Sequence, residues 1–168
     1  MLFLPKRHLT FARFESRPGC VHARSASAQF AMRSGICYQE PLLILAGVPS
    51  SGKTHLLHAT ANMAKQNTNI RSGITISSKR LAEEVRRAVA FGDLDIWLNR
   101  FAREDFLGID DVDDLFGTSE TATFLLEVLR LRGIANLRTL VSVSLSGTPH
   151  LPCPLITFLN DQRAVKLL

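Results

Sequence analysis

The sequence predicts an α/β fold in which a parallel β-sheet is covered by helices on both faces. From residue 41 onward, short apolar segments of strand character alternate with longer segments of helical periodicity. Strands and helices that alternate in this way build parallel sheets. The chain has 168 residues, of which 46% are hydrophobic, and it shows no internal repeats. We therefore expect one domain with a substantial buried core.

Composition and periodicity place the individual elements along the chain. The expected strands are 41–46, 72–77, 105–110, 139–144 and 164–168. The expected helices are 23–32, 54–65, 78–90, 94–103 and 119–131, with a short helical turn near Leu155.

Several local patterns support these assignments. The first and third strands are apolar runs, and 139–144 alternates in character and is rich in Val and Leu. Gly133 is expected to end the last long helix, and a glycine with three prolines predicts a loop at 145–154. The helix at 78–90 is expected to bury one face, made of Leu81, Val85, Ala88 and Val89.

The turn after the first strand fits the pattern G-x-x-x-x-G-K-[ST] of a phosphate-binding loop. Its glycines let successive backbone N–H groups point inward, and the following helix adds the positive end of its dipole. Lys53 is expected to reach the β- and γ-phosphates, and the Thr54 hydroxyl to ligate Mg²⁺. The candidate nucleotide-binding residues are Gly47, Val48, Pro49, Ser50, Ser51, Gly52, Lys53, Thr54 and His55.

A second part of the site is expected where the third strand ends in two acids. Asp110 is the candidate Mg²⁺ ligand, and Asp111 the candidate group that orients or deprotonates an attacking water. The alternative is a solvated acidic loop, since Asp113 and Asp114 follow at once. With Lys53, these two acids are the candidate catalytic residues. A γ-phosphate sensor is expected among three serines at the end of the neighbouring strand, namely Ser142, Ser144 and Ser146.

Charge and cysteine usage limit the class of protein. The net charge of +5 and the pI near 9.6 favour an anionic partner such as a nucleotide or nucleic acid. No apolar run approaches the length of a membrane span, and the N-terminus lacks the architecture of a signal peptide. Cys20, Cys37 and Cys153 are widely spaced and form no metal motif, so we expect reduced thiols and a cytoplasmic location.

The motifs resemble those of the bacterial replication initiator DnaA and its relatives. The run G-K-T-H-L-L-H-A at 52–59 is more specific than a generic phosphate loop, and Ile109-Asp110-Asp111-Val112 is similar to that family's acidic strand end. Leu9 to Phe14 resembles the T-F-x-x-F motif that precedes the family's AAA+ domain. Residues 76–80 resemble the second strand and the start of the helix after it. The similarity covers residues 9–168.

This resemblance implies an AAA+ core, with a five-stranded parallel sheet in the order 5-1-4-3-2 and ATP or ADP with Mg²⁺ as ligands. It also implies a role in replication initiation or its regulation, with DnaA or another AAA+ protein as the partner. Regulators of the Hda type look nearest, and these bind the sliding clamp through an N-terminal peptide. Residues 1–8 keep two Leu and the Pro of that peptide but lack its Gln and its final Leu, so they are the candidate for a degenerate clamp-binding tail, and 9–168 is the core.

Three departures from the family pattern bear on enzyme activity. Phe158 stands where the family carries its arginine finger, and Arg163 is out of register. The segment 143–149 lacks the Asp of the family's sensor region. The sequence ends at the last predicted strand, so we expect a core without a helical lid. These departures imply weak ATPase activity, or binding without hydrolysis.

Single-stranded DNA is a further candidate partner, because the family's DNA-contacting insertion follows the second strand. Basic residues occur there, but Glu83 and Glu84 share their face, and this favours a mixed solvated surface. Phe91, Trp97 and Phe101 are candidates for base stacking or for the core. The basic residues are Lys79, Arg80, Arg86 and Arg87.

Four functions remain open at this point. The first is a nucleotide-binding regulator of replication initiation. The second is a single-stranded-DNA-stimulated ATPase of the helicase-loader or transposition-helper type, and the third is a catalytically degenerate interaction module. A P-loop kinase is disfavoured, because no acceptor site or lid is recognisable in the sequence.

Overall fold

The computed structural model describes residues 4–15, 17–33, 40–67, 70–116, 119–144, 153–162 and 164–167 of the chain. Its centre is a parallel sheet in the order β2-β3-β4-β1-β5. The strands are β1 (Leu42–Gly47), β2 (Gly73–Ser77), β3 (Phe106–Asp110), β4 (Arg138–Ser144) and β5 (Ala164–Leu167). This order is the expected 5-1-4-3-2, and it confirms the predicted fold class. The carboxyl ends of all five strands lie at one edge of the sheet.

Six α-helices within the described residues cover the sheet. They are α1 (Val21–Met32), α2 (Lys53–Asn67), α3 (Ser78–Phe91), α4 (Leu94–Arg103), α5 (Ser119–Ile134) and α6 (Pro154–Asn160). Every expected helix is present, and their ends differ from the predicted ones by up to three residues. Within this part of the chain, no helix has both the length and the apolar character needed to cross a bilayer.

The alternation of side chains along β1 explains why helices lie on both faces. Leu43 and Leu45 point to one face and join a buried cluster with residues of α1 and α2. Ile44 points the other way, into a larger cluster built from α3, α4, α5 and α6. A parallel strand with both faces buried reads as a continuous apolar run, as this segment does.

β3 carries a glycine where α2 packs close against the sheet. A Cβ added to Gly108 would lie 3.0 Å from Leu57 Cδ2 and 3.2 Å from Thr75 Cγ2. The missing side chain therefore lets α2 approach the strand that ends in Asp110. This close packing brings the first turn of α2 near the carboxyl end of β3.

Two helix assignments differ from the prediction. Gly133 does not end α5, because the helix continues to Ile134 and Asn136 takes the left-handed position after it, with φ of 52°. Asparagine tolerates this conformation, and the Leu137 N–H closes the turn on the Arg132 carbonyl at 3.0 Å. Val89 was expected on the buried face of α3 but is 41% exposed. It follows Ala88, which is the last buried residue of that helix.

A buried arginine joins three elements at the amino edge of the sheet. Arg132 is fully buried, and its guanidinium donates to the carbonyls of Phe101 and Glu104 at 2.8 and 2.7 Å. It also donates to Arg138 O at 2.6 Å and to Thr139 Oγ1 at 2.7 Å. Burial lowers the pKa of Arg132 to about 10, which still leaves it charged at neutral pH. The side chain thus ties α5 to the end of α4 and the start of β4.

Arg132→Met should lower the free energy of unfolding by about 3–5 kcal/mol, because buried carbonyls would lose their donors. Urea titration followed by circular dichroism measures this. Arg130→Met, at an exposed position of the same helix, should change stability by no more than ~0.5 kcal/mol. Equal effects of the two substitutions would contradict a structural role for the buried guanidinium.

Candidate functional site

The loop between β1 and α2 is wound tightly around the Lys53 side chain. Ser50 and Gly52 have φ of 61° and 98°, both in the left-handed region. Lys53 is 5% exposed, and its Nζ donates to the carbonyls of Gly47 and Val48, both at 3.0 Å. The ammonium group is therefore held beneath the loop, at the N-terminus of a long helix.

Asp110 is the centre of a hydrogen-bond network at the carboxyl edge of the sheet. Thr54 Oγ1 donates to its Oδ2 at 2.7 Å, and the Ser142 hydroxyl donates to its Oδ1. Ser142 Oγ in turn accepts from the Asp111 N–H at 2.8 Å. Asp110 is 9% exposed, and these partners satisfy a carboxylate that would otherwise be costly to bury.

Four carboxylates follow one another in sequence at this edge. Asp111 has φ of 55°, and its pKa is raised, first by burial and then by the Asp110, Asp113 and Asp114 carboxylates, although Lys53 opposes the shift. Asp113 Oδ1 accepts from the Ser144 N–H at 2.8 Å, and Asp114 Oδ2 accepts from a serine hydroxyl of α3 at 3.2 Å. Three of the four carboxylates, those of Asp110, Asp113 and Asp114, thus accept hydrogen bonds from neighbouring elements, and this argues against a merely solvated loop.

The loop and the acidic turn face each other across an open cleft of about 640 Å³. Lys53, Thr54 and Asp111 line it, and Lys79 from α3 and Leu9 from the N-terminal segment complete the walls. Clefts of this volume accommodate small-molecule ligands and cofactors. Lys79, considered from sequence only as part of a basic helix face, thus lies at the cleft.

Phe14 packs directly on the phosphate loop, which the sequence did not reveal. A Cβ added to Gly52 would lie 2.7 Å from Phe14 Cε2, so glycine is required here for space as well as for its positive φ. The Phe14 ring also meets the His55 ring edge to face, with centroids 5.3 Å apart. The only signal for this contact was the likeness of Leu9 to Phe14 to the family's entry motif.

The structure brings the predicted site residues of the loop and the acidic turn together. Pro49, Ser50, Gly52 and His55 line the cleft with the residues named above. Gly47 and Val48 supply carbonyls to Lys53, whereas Ser51 O accepts from the Cys20 thiol at 3.7 Å. Nucleotide binding by these residues stays a prediction. Predictions for residues 1–3, Cys37, Ser146 and Arg163 fall outside the described residues.

The aromatic and cysteine candidates do not line the cleft, whereas Ser144 does. Phe158, which the sequence resemblance aligns with the family's arginine finger, is half-buried on α6 and packs against the core. Phe101 is buried in the same core, while Phe91 is 78% exposed. Cys20 and Cys153 are free thiols. Of the three sensor candidates, Ser142 contacts Asp110, and only the backbone of Ser144 bonds to the acidic turn.

The donor set at the Asp110 end of the cleft fits a magnesium ion. Mg²⁺ prefers oxygen ligands and is commonly bound by one or two carboxylates or hydroxyls together with phosphates and water. Thr54 Oγ1 and Asp110 Oδ2 are such oxygens, and they lie 2.7 Å apart. Thr54 and Asp110 are therefore the residues that would hold the ion.

Comparison with known proteins identifies the family of the chain. The family model described as the bacterial DnaA ATPase domain matches residues 5–143. The chain belongs to this DnaA family. The chromosomal replication initiator protein DnaA of Thermomicrobium roseum is 34% identical over 112 residues, which is 67% of this chain and 24% of that protein. The chain thus spans about a quarter of the length of the curated DnaA relatives it matches.

Solved DnaA structures share the fold. DnaA bound to AMPPCP and single-stranded DNA superposes with a TM-score of 0.82 at 20% identity, covering 96% of this chain and 50% of that one. The DnaC helicase loader superposes with a TM-score of 0.77 at 14% identity, covering 96% and 97%. At these identities the likeness establishes the AAA+ fold of this DnaA-family chain.

Ser142→Ala in this DnaA-family chain should lower the free energy of unfolding by about 1–3 kcal/mol, because the Asp110 carboxylate and the Asp111 N–H would both lose a partner. Ser144→Ala is the matched control, since only the backbone of Ser144 bonds to the acidic turn. Its effect should stay within ~0.5 kcal/mol. If chemical denaturation gave the same loss for both variants, the hydroxyl of Ser142 would not be holding the network.

Asp111→Asn should stabilise the ligand-free protein at neutral pH. The folded state raises the pKa of Asp111, so its charged form opposes folding once the pH exceeds that pKa. The stability that a protonated Asp111 confers is present below the unfolded value of 3.8 and is lost as the pH rises through the folded pKa. Urea titrations from pH 4 to 8 should show the gain of the variant growing with pH. A gain that stayed constant from pH 4 to 8 would contradict this effect of the Asp111 charge.

Proposed function

We propose that this chain binds ATP or ADP together with Mg²⁺ in the cleft. The observation that carries the proposal is the hydrogen bond between Thr54, which follows Lys53 in the first turn of α2, and Asp110 at the carboxyl end of β3. A phosphate loop without an adjacent carboxylate could bind phosphate but would lack the carboxylate ligand for Mg²⁺. Here the hydroxyl of the loop and the carboxylate of the strand are already hydrogen-bonded to each other.

Each residue would contribute a separate interaction. The loop N–H groups and the α2 dipole would bind phosphate oxygens. Lys53 would exchange the two carbonyls it now contacts for β- and γ-phosphate oxygens, while Thr54 and Asp110 would hold Mg²⁺. The ion would neutralise phosphate charge. Asp111, exposed to the cleft, would orient a water molecule, and His55 would support the loop from beside it.

We propose that intrinsic hydrolysis is weak. Arginine fingers contribute large rate factors in phosphoryl transfer. The matching position here carries Phe158, whose side chain packs against the core and offers no charge. Nucleotide binding would then serve mainly to set the conformation of the chain.

The biological role we propose is in DNA replication initiation or its regulation, through docking to DnaA or another AAA+ protein in the cytoplasm. Membership of the DnaA family supports it. The tail at residues 1–8 is proposed as a degenerate peptide for the sliding clamp, in the manner of Hda-type regulators. A catalytically degenerate interaction module would share this docking but would bind no nucleotide.

A second candidate is an ATPase of the helicase-loader type that is stimulated by single-stranded DNA. It is favoured by the surface where α3 meets α4. Phe91 at the end of α3 is 78% exposed, Ile96 in the first turn of α4 is 66% exposed, and Arg86 and Arg87 of α3 are also exposed. Glu84 was expected to weaken this surface. It is 7% exposed and pairs with Arg80 at 2.6 Å and with Arg87 at 3.7 Å, so its charge offsets part of this basic surface, as expected.

Lys53→Ala should weaken ATP and ADP binding by about 100-fold, since it removes charge-assisted hydrogen bonds to phosphate. Asp110→Asn should remove the gain in affinity that Mg²⁺ gives. Calorimetric titration with and without Mg²⁺ measures both effects. Lys65→Ala, at the exposed end of the same helix, is the control and should bind normally. No binding to the unaltered chain at millimolar nucleotide would refute the proposal.

The same samples separate the candidate functions. Turnover measured with and without single-stranded DNA should stay low for a regulator. Turnover that rises with DNA, and loses that rise on combined Arg86→Ala and Arg87→Ala, would favour the helicase-loader type.

A further inference from the structure

The N-terminal lead-in, defined here as residues 6–14, lies along α2 and is bound through its backbone. Asn62 Nδ2 donates to Lys6 O and to Leu9 O, both at 2.9 Å. One side-chain amide thus bridges two carbonyls three residues apart. Because the partners are main-chain atoms, the contact recognises the path of the lead-in rather than its side chains.

Two histidines continue this contact along the same side of the helix. His58 Nδ1 accepts from the Lys6 N–H at 3.3 Å, and His55 Nε2 lies 2.8 Å from Thr10 O. His58 is 8% exposed, and burial, followed by the charge of Lys6, lowers its pKa, so the neutral ring that accepts a hydrogen bond is favoured. We call His55, His58 and Asn62 the polar stripe of α2, since their spacing places them on one face.

The other end of the lead-in reaches the phosphate loop. Phe14 packs on Gly52 and against the His55 ring, and Leu9 lines the cleft. Phe11, between them, is 8% exposed in the core. The lead-in, which is held by α2, therefore forms one wall of the cleft. It also packs on the phosphate loop at Gly52, where the backbone has a positive φ.

We propose that Asn62 and His58 are positioning residues for the nucleotide cleft, acting through the lead-in although neither lines the cleft. This rests on the proposed nucleotide binding. Release of the lead-in would remove the Leu9 wall and the Phe14 ring from the Gly52 corner. The loop would then have to be ordered when nucleotide binds, and affinity would fall.

The test compares Asn62→Asp with Gln66→Asp. Asn62→Asp replaces the amide that donates to the Lys6 and Leu9 carbonyls with a carboxylate, which cannot donate and repels those oxygens. The second makes the same charge change at an exposed position one turn further along α2. In the nucleotide-free full chain, Asn62→Asp should speed hydrogen exchange about tenfold in peptides covering 4–14 and 47–56. It should also raise the ATP Kd about tenfold, while Gln66→Asp changes neither.

The outcomes are distinguishable. Unchanged exchange in 4–14 would show that Asn62 does not hold the lead-in, and the inference would fail. Faster exchange in 4–14 with an unaltered loop and an unaltered Kd would also overturn it, because the lead-in would then not act on the cleft. Asn62→Gln, which keeps an amide donor, should restore part of the affinity. Absence of ATP binding to the unaltered chain would instead refute the proposed function.

Discussion

The carboxylate of Asp110 accepts hydrogen bonds on both of its oxygens, and the arrangement of the site depends on this. One donor, Thr54, lies in the first turn of α2, and the other, Ser142, lies near the end of β4. A buried carboxylate is tolerated only where such partners exist. The pair therefore fixes how the phosphate loop sits relative to β3 and β4. The parallel sheet makes this meeting possible, because it gathers the carboxyl ends of its strands at one edge.

Sequence patterns predicted the features that depend on local order. The alternation of apolar and periodic segments gave the sheet and its helices, and the loop and Asp110 followed from spacing within single segments. The choice among Ser142, Ser144 and Ser146 depended on pairing between strands. Ile109 pairs with Val141 in the register of β3 and β4, so the next residue of each strand, Asp110 and Ser142, become neighbours. The sequence of a single strand does not show which residues of the neighbouring strand lie opposite its own.

Tertiary contacts also decided the features that sequence missed or misplaced. Gly133 carries the stronger helix-ending signal, yet Asn136 ends the turn after α5, where the chain must bend back towards β4. Phe14 and Gly52 are 38 positions apart in the sequence, and only the fold brings them into contact. The periodicity of a helix or strand shows which residues share one of its faces. It does not show which other element of the fold packs on that face, and these contacts depend on that.

α2 is the element through which these contacts act on one another. Its first turn carries Lys53 and Thr54, and Leu57 packs on the strand at Gly108. The polar stripe of α2 faces the lead-in. A helix that is fixed by hydrogen bonds along its length moves as one body, so a displacement at the stripe is also a displacement at the loop. The close approach of Leu57 to the strand at Gly108 opposes such movement, because the two elements are packed directly against each other there. The position of the loop is therefore set jointly by the sheet below α2 and by the lead-in beside it.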